Sequence, residues 1–149
     1  MGYLLTVIRI IGIVLTYIIF GLMGLGLFLI FFSSRESHYR SIVFFTRLWA
    51  QCSCFLLNIK IRRTGSEEIS SGSLIVANHV GTPDIFVMGS SFPAFFVSKA
   101  EIGRWPFMSW LTRLGATIFV DRNRKQQVRA TINQICHRMN AQCSVILFP

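Results

Sequence analysis

An apolar segment near the N-terminus constrains the fold more than any other feature of the chain. Residues Ile10 to Phe32 contain no charged side chain. As an α-helix this segment is about 34 Å long, which is enough to cross or enter the hydrocarbon core of a bilayer. A compact domain of this size has no need for a buried core helix of such length. We therefore predict an N-terminal helix that associates with a membrane.

The charge balance supports a membrane as the partner. The chain of 149 residues has a formal net charge of +9, which fits either nucleic acid or an anionic membrane surface. Arg35, Arg40 and Arg47 follow the apolar segment and only Arg9 precedes it, so the positive-inside rule places the C-terminal bulk on the cytoplasmic face. A nucleic-acid reader would interleave aromatic residues with its cations, and the basic segment Arg122–Lys125 has none. We therefore expect no nucleic-acid partner.

A second apolar stretch, Ser41 to Ile59, is interrupted by Arg47 and carries Trp49 and Phe55. This composition favours an interfacial helix, or the return arm of a helical hairpin, over a second full span. A full span would invert the orientation argued above, and the pattern alone leaves that alternative open. We expect residues 1–57 to form a membrane-associated helical region.

From Asn58 onwards, short strand-like and helix-like patterns alternate. The predicted strands are Ile59–Arg62, Leu74–Ala77, Ala94–Ser98, Thr117–Val120 and Val145–Phe148, and the predicted helices are Thr82–Ser90, Trp105–Leu114 and Arg124–Asn140. The first strand alternates as an edge strand does, whereas the later ones are apolar enough for a core. In the last helix, the apolar face comprises Val128, Ile132, Ile135 and Met139. This alternation indicates an α/β domain with a largely parallel sheet and flanking helices over residues 58–149.

The segment with the clearest chemistry is Asn78–Asp84, directly after a predicted strand. Thr82 and Pro83 suit the N-cap and first position of a helix, so Asp84 falls in the first turn of that helix. His79 and Asp84 can then meet, and the carboxylate would fix the imidazole tautomer and stabilise the imidazolium that forms when His79 takes a proton. Because no nucleophilic Ser or Cys accompanies the pair, the base would activate a hydroxyl of the substrate. The structural alternative is that His79 caps a helix and Asp84 is solvated near its N-terminus.

Two cations occupy positions similar to that of His79. His79, Lys99 and Arg122 each follow the carboxyl end of a predicted core strand, where open α/β sheets place their sites. Two cations beside a potential base suggest an anionic substrate, and the planar guanidinium of Arg122 can hold a phosphate through two parallel hydrogen bonds. The alternative is a pair of solvated loop charges.

The cysteines give no indication of a metal site. Cys52, Cys54, Cys136 and Cys143 form no CxxC pair and no zinc-like array with the three histidines. Their spacing suits unpaired thiols in a reducing compartment. We predict no bound metal.

Several segments together resemble the glycerolipid acyltransferase family. Asn78–Asp84 resembles the first signature of the family, Val97–Lys99 before Trp105 and Pro106 an intervening segment, Gly115–Arg122 the second signature, and Leu147–Pro149 the opening of the third, which continues Glu-Gly-Thr-Arg. Gly81 stands where many members have Ser. The resemblance covers roughly Asn58 to Pro149 and is closest to the members that acylate lysophosphatidic acid.

The resemblance implies transfer of a fatty acyl group from acyl-CoA or acyl-carrier protein to the free hydroxyl of lysophosphatidic acid, giving phosphatidic acid. It implies His79 as the general base, Asp84 as the residue that orients it, and Arg122 with Lys99 as ligands of the substrate phosphate. No metal or cofactor is implied, because the thioester is already activated. It also implies that the domain is truncated after Pro149, and we expect the chain to lack useful activity by itself.

Three alternatives remain at this stage. The chain could belong to a membrane-tethered hydrolase in which His79 and Asp84 activate water, to an acyltransferase for another lysolipid, or to a non-catalytic basic membrane-binding module. Dependence of thiol release from acyl-CoA on an acceptor alcohol distinguishes the acyltransferase from the hydrolase.

Overall fold

The computed structural model describes residues 2–30, 35–65, 69–106, 108–121 and 124–149. In chain order the elements are α1 (Gly2–Ile30), α2 (Arg35–Leu56), β1 (Leu74–Val76), α3 (Pro83–Ser91), β2 (Ala94–Lys99), a 3₁₀ turn (Ile102–Arg104), α4 (Met108–Leu114), β3 (Ile118–Val120), α5 (Lys125–Asn140) and β4 (Ser144–Leu147). The α/β architecture expected from the alternating patterns is confirmed.

The four strands form one parallel sheet in the order β1-β4-β2-β3. The last strand of the chain is therefore inserted between β1 and β2. Val76 at the end of β1 and Val97 in β2 both pair with Leu147 of β4, and Lys99 pairs with Val120 of β3. Because all strands run in one direction, their carboxyl ends lie along one edge of the sheet.

Two strand predictions require correction. Strand β1 was predicted to be buried, but it is an outer strand with Leu74 42% and Val76 58% exposed. The predicted edge strand Ile59–Arg62 is wrong, since this segment forms no strand. Its neighbours hold it against helix ends instead: the Ile59 amide donates to the Cys54 carbonyl of α2, and Arg63 donates to the Ser91 carbonyl of α3.

The helix predicted over Trp105–Leu114 begins later than expected, at Met108. Trp105 has an extended backbone (φ −70°, ψ 136°) and separates the 3₁₀ turn from α4. The cause is Pro106, because the ring of a proline disfavours helical geometry in the residue before it.

Helices α1 and α2 form an antiparallel hairpin, the second of the arrangements expected for the Ser41–Ile59 stretch. A Cβ atom added to Gly12 would lie 3.0 Å from Leu56, and at the other end the rings of Phe28 and His38 have centroids 6.4 Å apart. Low residue numbers in α1 therefore lie against high numbers in α2. Helix α2 begins earlier than predicted, at Arg35, and also packs on α3.

The outer surface of α1 is apolar over its whole length. Among the described residues, α1 is the one helix long and apolar enough to cross a membrane. Its exposed side chains include Leu4, Ile8, Ile11, Leu15, Ile19, Leu22 and Leu29. On its inner side, Gly21 lies against Trp110 and Gly24 against Leu114, so α4 packs on the C-terminal half of α1.

The core lies between the sheet, α2 and α5. Phe95, Val97, Ile118 and Val145 of the sheet are buried against Ile42 and Val43 of α2, with Ile135 and Met139 of α5 packed beside them. The predicted apolar face of α5 is correct except at Ile132, which is 52% exposed. Thr131 is buried in its place. Its hydroxyl lies 2.9 Å from the Gln127 carbonyl and 3.1 Å from the Phe119 carbonyl, so the buried polar group has acceptors for its proton.

Arg138 of α5 lies within this core. Its guanidinium carbon is 3.7 Å from the centroid of the Tyr39 ring and 4.3 Å from that of Phe95. Burial lowers the pKa of Arg138 from its usual value. The cation is therefore held by two aromatic faces, one from α2 and one from the sheet.

Candidate active site

The turn between β1 and α3 brings the predicted histidine and aspartate together. Ala77 donates its amide to the Leu147 carbonyl, which fixes the start of this turn against β4. Thr82 is the N-cap of α3 and Pro83 its first residue, as predicted. The Thr82 side chain makes no capping bond, and the Asp84 carboxylate binds the turn instead.

One carboxylate oxygen of Asp84 organises the whole turn. Its Oδ2 atom accepts hydrogen bonds from the amides of Val80 and Gly81, at 2.6 Å and 3.0 Å, and lies 3.0 Å from Nδ1 of His79. The Gly81 amide, the Val80 amide and then the His79 ring lower the pKa of Asp84 from its usual value. Asp84 therefore stays ionised through the pH range in which a histidine titrates.

This contact determines what the imidazole can do. With Asp84 as the acceptor, Nδ1 of His79 carries the proton and Nε2 keeps a lone pair. The side chains of His79 and Asp84 are 39% and 30% exposed, so a substrate can approach the ring. The pair has the geometry of an oriented general base.

A third side chain, Phe148, completes the site. Its ring is stacked on the His79 ring, with centroids 4.4 Å apart and planes inclined by 19°. The Phe96 ring of β2 has its centroid 6.3 Å from that of Phe148, with the planes inclined by 24°. Sequence reasoning assigned Phe148 no role at the site, although its position directly after β4 places it at the same edge of the sheet as His79.

The two predicted cations differ in what can be said of them. Lys99 is exposed and ends β2, the strand next to β4, so it stands at the carboxyl edge of the sheet with His79. Arg122 lies outside the described residues. The structure thus brings His79, Asp84 and Phe148 into contact and places Lys99 along the same edge.

This fold agrees with a comparison to known families. The acyltransferase family model matches residues 60–149, and the chain belongs to that family.

The curated relatives divide by acceptor. The chain is 35% identical over 103 residues to a lyso-ornithine lipid O-acyltransferase of Rhizobium meliloti (strain 1021), an alignment covering 69% of this chain and 35% of that protein. It is 29% identical over 93 residues to a 1-acyl-sn-glycerol-3-phosphate acyltransferase of Neisseria gonorrhoeae, covering 62% and 36%. It is 30% identical over 95 residues to the protein of that name in Saccharomyces cerevisiae, covering 58% and 31%. The chain thus spans about a third of the length of these relatives, and no solved structure matched it significantly.

Proposed function

We propose that the protein transfers a fatty acyl group from a thioester donor, acyl-CoA or acyl-carrier protein, to the free hydroxyl of a lysolipid. The observation that carries the proposal is the His79–Asp84 hydrogen bond in an exposed turn of an acyltransferase-family domain. Among the residues that the structure describes, no serine or cysteine is hydrogen-bonded to His79, which fits direct attack by an acceptor alcohol.

In the proposed reaction, Nε2 of His79 accepts the proton of the acceptor hydroxyl while the oxygen of that hydroxyl attacks the thioester carbonyl carbon. The carbon–sulfur bond then breaks, and the imidazolium returns the proton to the departing thiolate. Asp84 stabilises the imidazolium through Nδ1. General-base catalysis of this kind contributes about 10²–10⁴-fold to a rate.

For the acceptor, we propose lysophosphatidic acid first and lyso-ornithine lipid as the alternative, since relatives of both names match the chain. Lys99 at the carboxyl edge of the sheet supports an acceptor with an anionic group. Arg122 remains a predicted phosphate ligand, and Arg122→Ala should raise the KM for lysophosphatidic acid more than the KM for the acyl donor.

The test is acylation by the full-length protein, with radiolabelled donor and either lysophosphatidic acid, lyso-ornithine lipid or no acceptor. His79→Ala should lower acyl transfer by about 10²–10⁴-fold. Asp84→Asn should lower it by a similar or smaller factor, because the two side chains act as a unit. His137→Ala, which removes an exposed histidine on α5, is the matched control and should retain activity.

Wild-type turnover in the His79→Ala protein would refute the assignment of the base. Thiol release at an equal rate with and without an acceptor would instead make the protein a hydrolase. Preference for lyso-ornithine lipid would keep the reaction and change the acceptor.

We also propose that α1 holds the domain at the cytoplasmic face of a membrane. The C-terminal half of α1 packs on α4 through Gly21 and Gly24, and α2 runs along α1 in the opposite direction. Because α2 and α4 cover one side of α1, the helix fits better within one leaflet of the bilayer than across both leaflets. Its apolar outer face would then be turned towards the acyl chains. Deleting residues 2–30 should release most of the protein from membranes in alkaline carbonate, and full retention would show that α2 is an integral anchor.

A further inference from the structure

A second place on the domain has the properties of a ligand site. A shallow, open cavity of about 440 Å³ lies between the 3₁₀ turn, α4 and β3, and it is lined by Ala100, Gly103, Arg104, Arg113, Thr117 and Phe119. This volume lies within the range of about 300–1,000 Å³ that small-molecule sites occupy. A Cβ atom on Gly103 would be 3.0 Å from the Phe119 ring, so the glycine is what allows the turn to approach the wall of the cavity.

The cavity is positively charged. Arg104 ends the 3₁₀ turn and Arg113 lies in the last turn of α4, and no carboxylate belongs to the lining. In the described part of the chain, neither guanidinium takes part in a salt bridge. Two exposed arginines in the lining of one cavity suit an anion that can accept several hydrogen bonds at once.

The cavity is distinct from the phosphate site expected at Lys99. Phe119 pairs with Ser98, whereas Lys99 pairs with Val120. Because side chains alternate along a strand, Lys99 points to the opposite face of the sheet from Phe119. Phe119 is on the same face of the sheet as Phe96, whose ring lies 6.3 Å from that of Phe148, so the cavity differs from the Lys99 site by its face and shares its face with Phe96.

The surroundings of the cavity place it at the level of the proposed membrane surface. Helix α4, which contributes Arg113, packs on α1: a Cβ atom on Gly21 would lie 2.9 Å from the Trp110 ring. Trp105 directly follows Arg104 in the chain, and Trp110 lies on α4 with Arg113. The two tryptophans are 55% and 44% exposed. Half-exposed tryptophans beside basic residues are typical of the boundary between lipid and water.

We propose that Arg104 and Arg113 form a subsite for a phosphate ester that uses neither Lys99 nor Arg122. The ester can come from the headgroup of an anionic membrane phospholipid or from a soluble phosphate carrier such as CoA. The proposal concerns binding and does not depend on acyl transfer by His79.

The experiment compares two double variants of the full-length protein. Arg104→Gln with Arg113→Gln removes both cations of the cavity. Arg62→Gln with Arg129→Gln removes two exposed cations that do not line the cavity. This control variant therefore has the same net charge as the cavity variant. Partition is measured by sedimentation with vesicles of phosphatidylcholine, with and without phosphatidate. In detergent, CoA and inorganic phosphate are titrated while tryptophan fluorescence is recorded.

The cavity variant should bind phosphatidate vesicles about 30-fold more weakly, taking each surface arginine at about 1 kcal/mol. The control variant should lose much less, and lysine at both cavity positions should restore part of the binding. A loss confined to vesicles identifies a lipid headgroup, and a loss confined to CoA identifies a soluble ester. Equal losses in the two double variants, or no loss with either probe, would overturn the proposal.

Discussion

Replacing Phe148 tests whether the stacked ring positions the proposed base. The ring lies 4.4 Å from His79 and nearly parallel to it, while Asp84 holds only the Nδ1 edge of the imidazole. Without the stack, His79 keeps its hydrogen bond but gains freedom to tilt about it. Phe148→Leu retains an apolar side chain after β4 and removes the aromatic face.

The expected loss follows from the energy of one aromatic pair. Such a pair contributes about 0.5–1.5 kcal/mol beyond the burial of its surface. If that energy is lost from the productive orientation of His79, kcat falls by about 2- to 13-fold. The KM for the acceptor should change less than kcat, because the Phe148 ring stacks on the base itself. A residue that only stabilised the fold would alter the amount of active enzyme and leave the turnover of the folded fraction unchanged.

The assay is acyl transfer by the full-length protein, with active enzyme quantified so that kcat refers to folded molecules. Phe148→Tyr keeps the ring and should restore most of the rate. Phe96→Leu is the control, because it removes the neighbouring ring and leaves the stack on His79. In parallel, the ¹⁵N chemical shifts of the imidazole report whether Nδ1 keeps its proton when the ring is lost.

An unchanged kcat in Phe148→Leu would refute the positioning role. So would equal losses in the leucine and tyrosine variants, since the aromatic face would then not be what matters. Neither result would affect the assignment of His79 as the base, which depends on His79→Ala.

Three further predictions concern stability. Arg138→Ala should lower the free energy of unfolding by about 2 kcal/mol or more, because the rings of Tyr39 and Phe95 lose both the cation and the long side chain packed on them. Arg138→Met keeps an apolar side chain of similar length and should cost less; chemical denaturation measures both. Gly21→Leu should cost about 1–3 kcal/mol by forcing α4 away from α1, whereas Gly26→Leu, with open space around it, should cost nothing. Asp84→Asn should destabilise the protein above about pH 4 and match the wild type as the pH falls through the lowered pKa of Asp84, since that carboxylate contributes only when ionised; denaturation from pH 7 to pH 2 would show it.

The parts of the fold that were predictable are those fixed by neighbouring residues. Thr82 and Pro83 mark the beginning of α3 through N-cap and proline geometry, and Asp84 then falls where it can reach back to the turn. The contact between His79 and Asp84 follows from these local preferences alone. The apolar run of α1 was equally clear, because its length and lack of charge need no tertiary information.

The order of the strands could not be read in the same way. Strand β4 is last in the chain yet lies between β1 and β2, and β1 is an outer strand of the four. An apolar triplet such as Leu74–Val76 looks alike at the centre and at the edge of a sheet, because periodicity does not report neighbours. The contact of Phe148 with His79 is hidden for the same reason, since it joins residues that only the pairing of β1 with β4 brings together.

The proposed catalytic turn and the apolar hairpin are mechanically connected through α2. One side of α2 lies along α1, and the other packs on α3, the helix that carries Asp84. The contact is close: a Cβ atom on Gly89 of α3 would be 3.1 Å from Ala50 of α2 and 3.3 Å from the Phe96 ring. Since α3 has no room to slide between these neighbours, its N-terminal turn is fixed relative to the hairpin. If α1 lies in the membrane surface as proposed, the packing of α2 between α1 and α3 sets the distance of His79 from that surface. A lipid acceptor then has to rise out of the bilayer by that distance to reach the base.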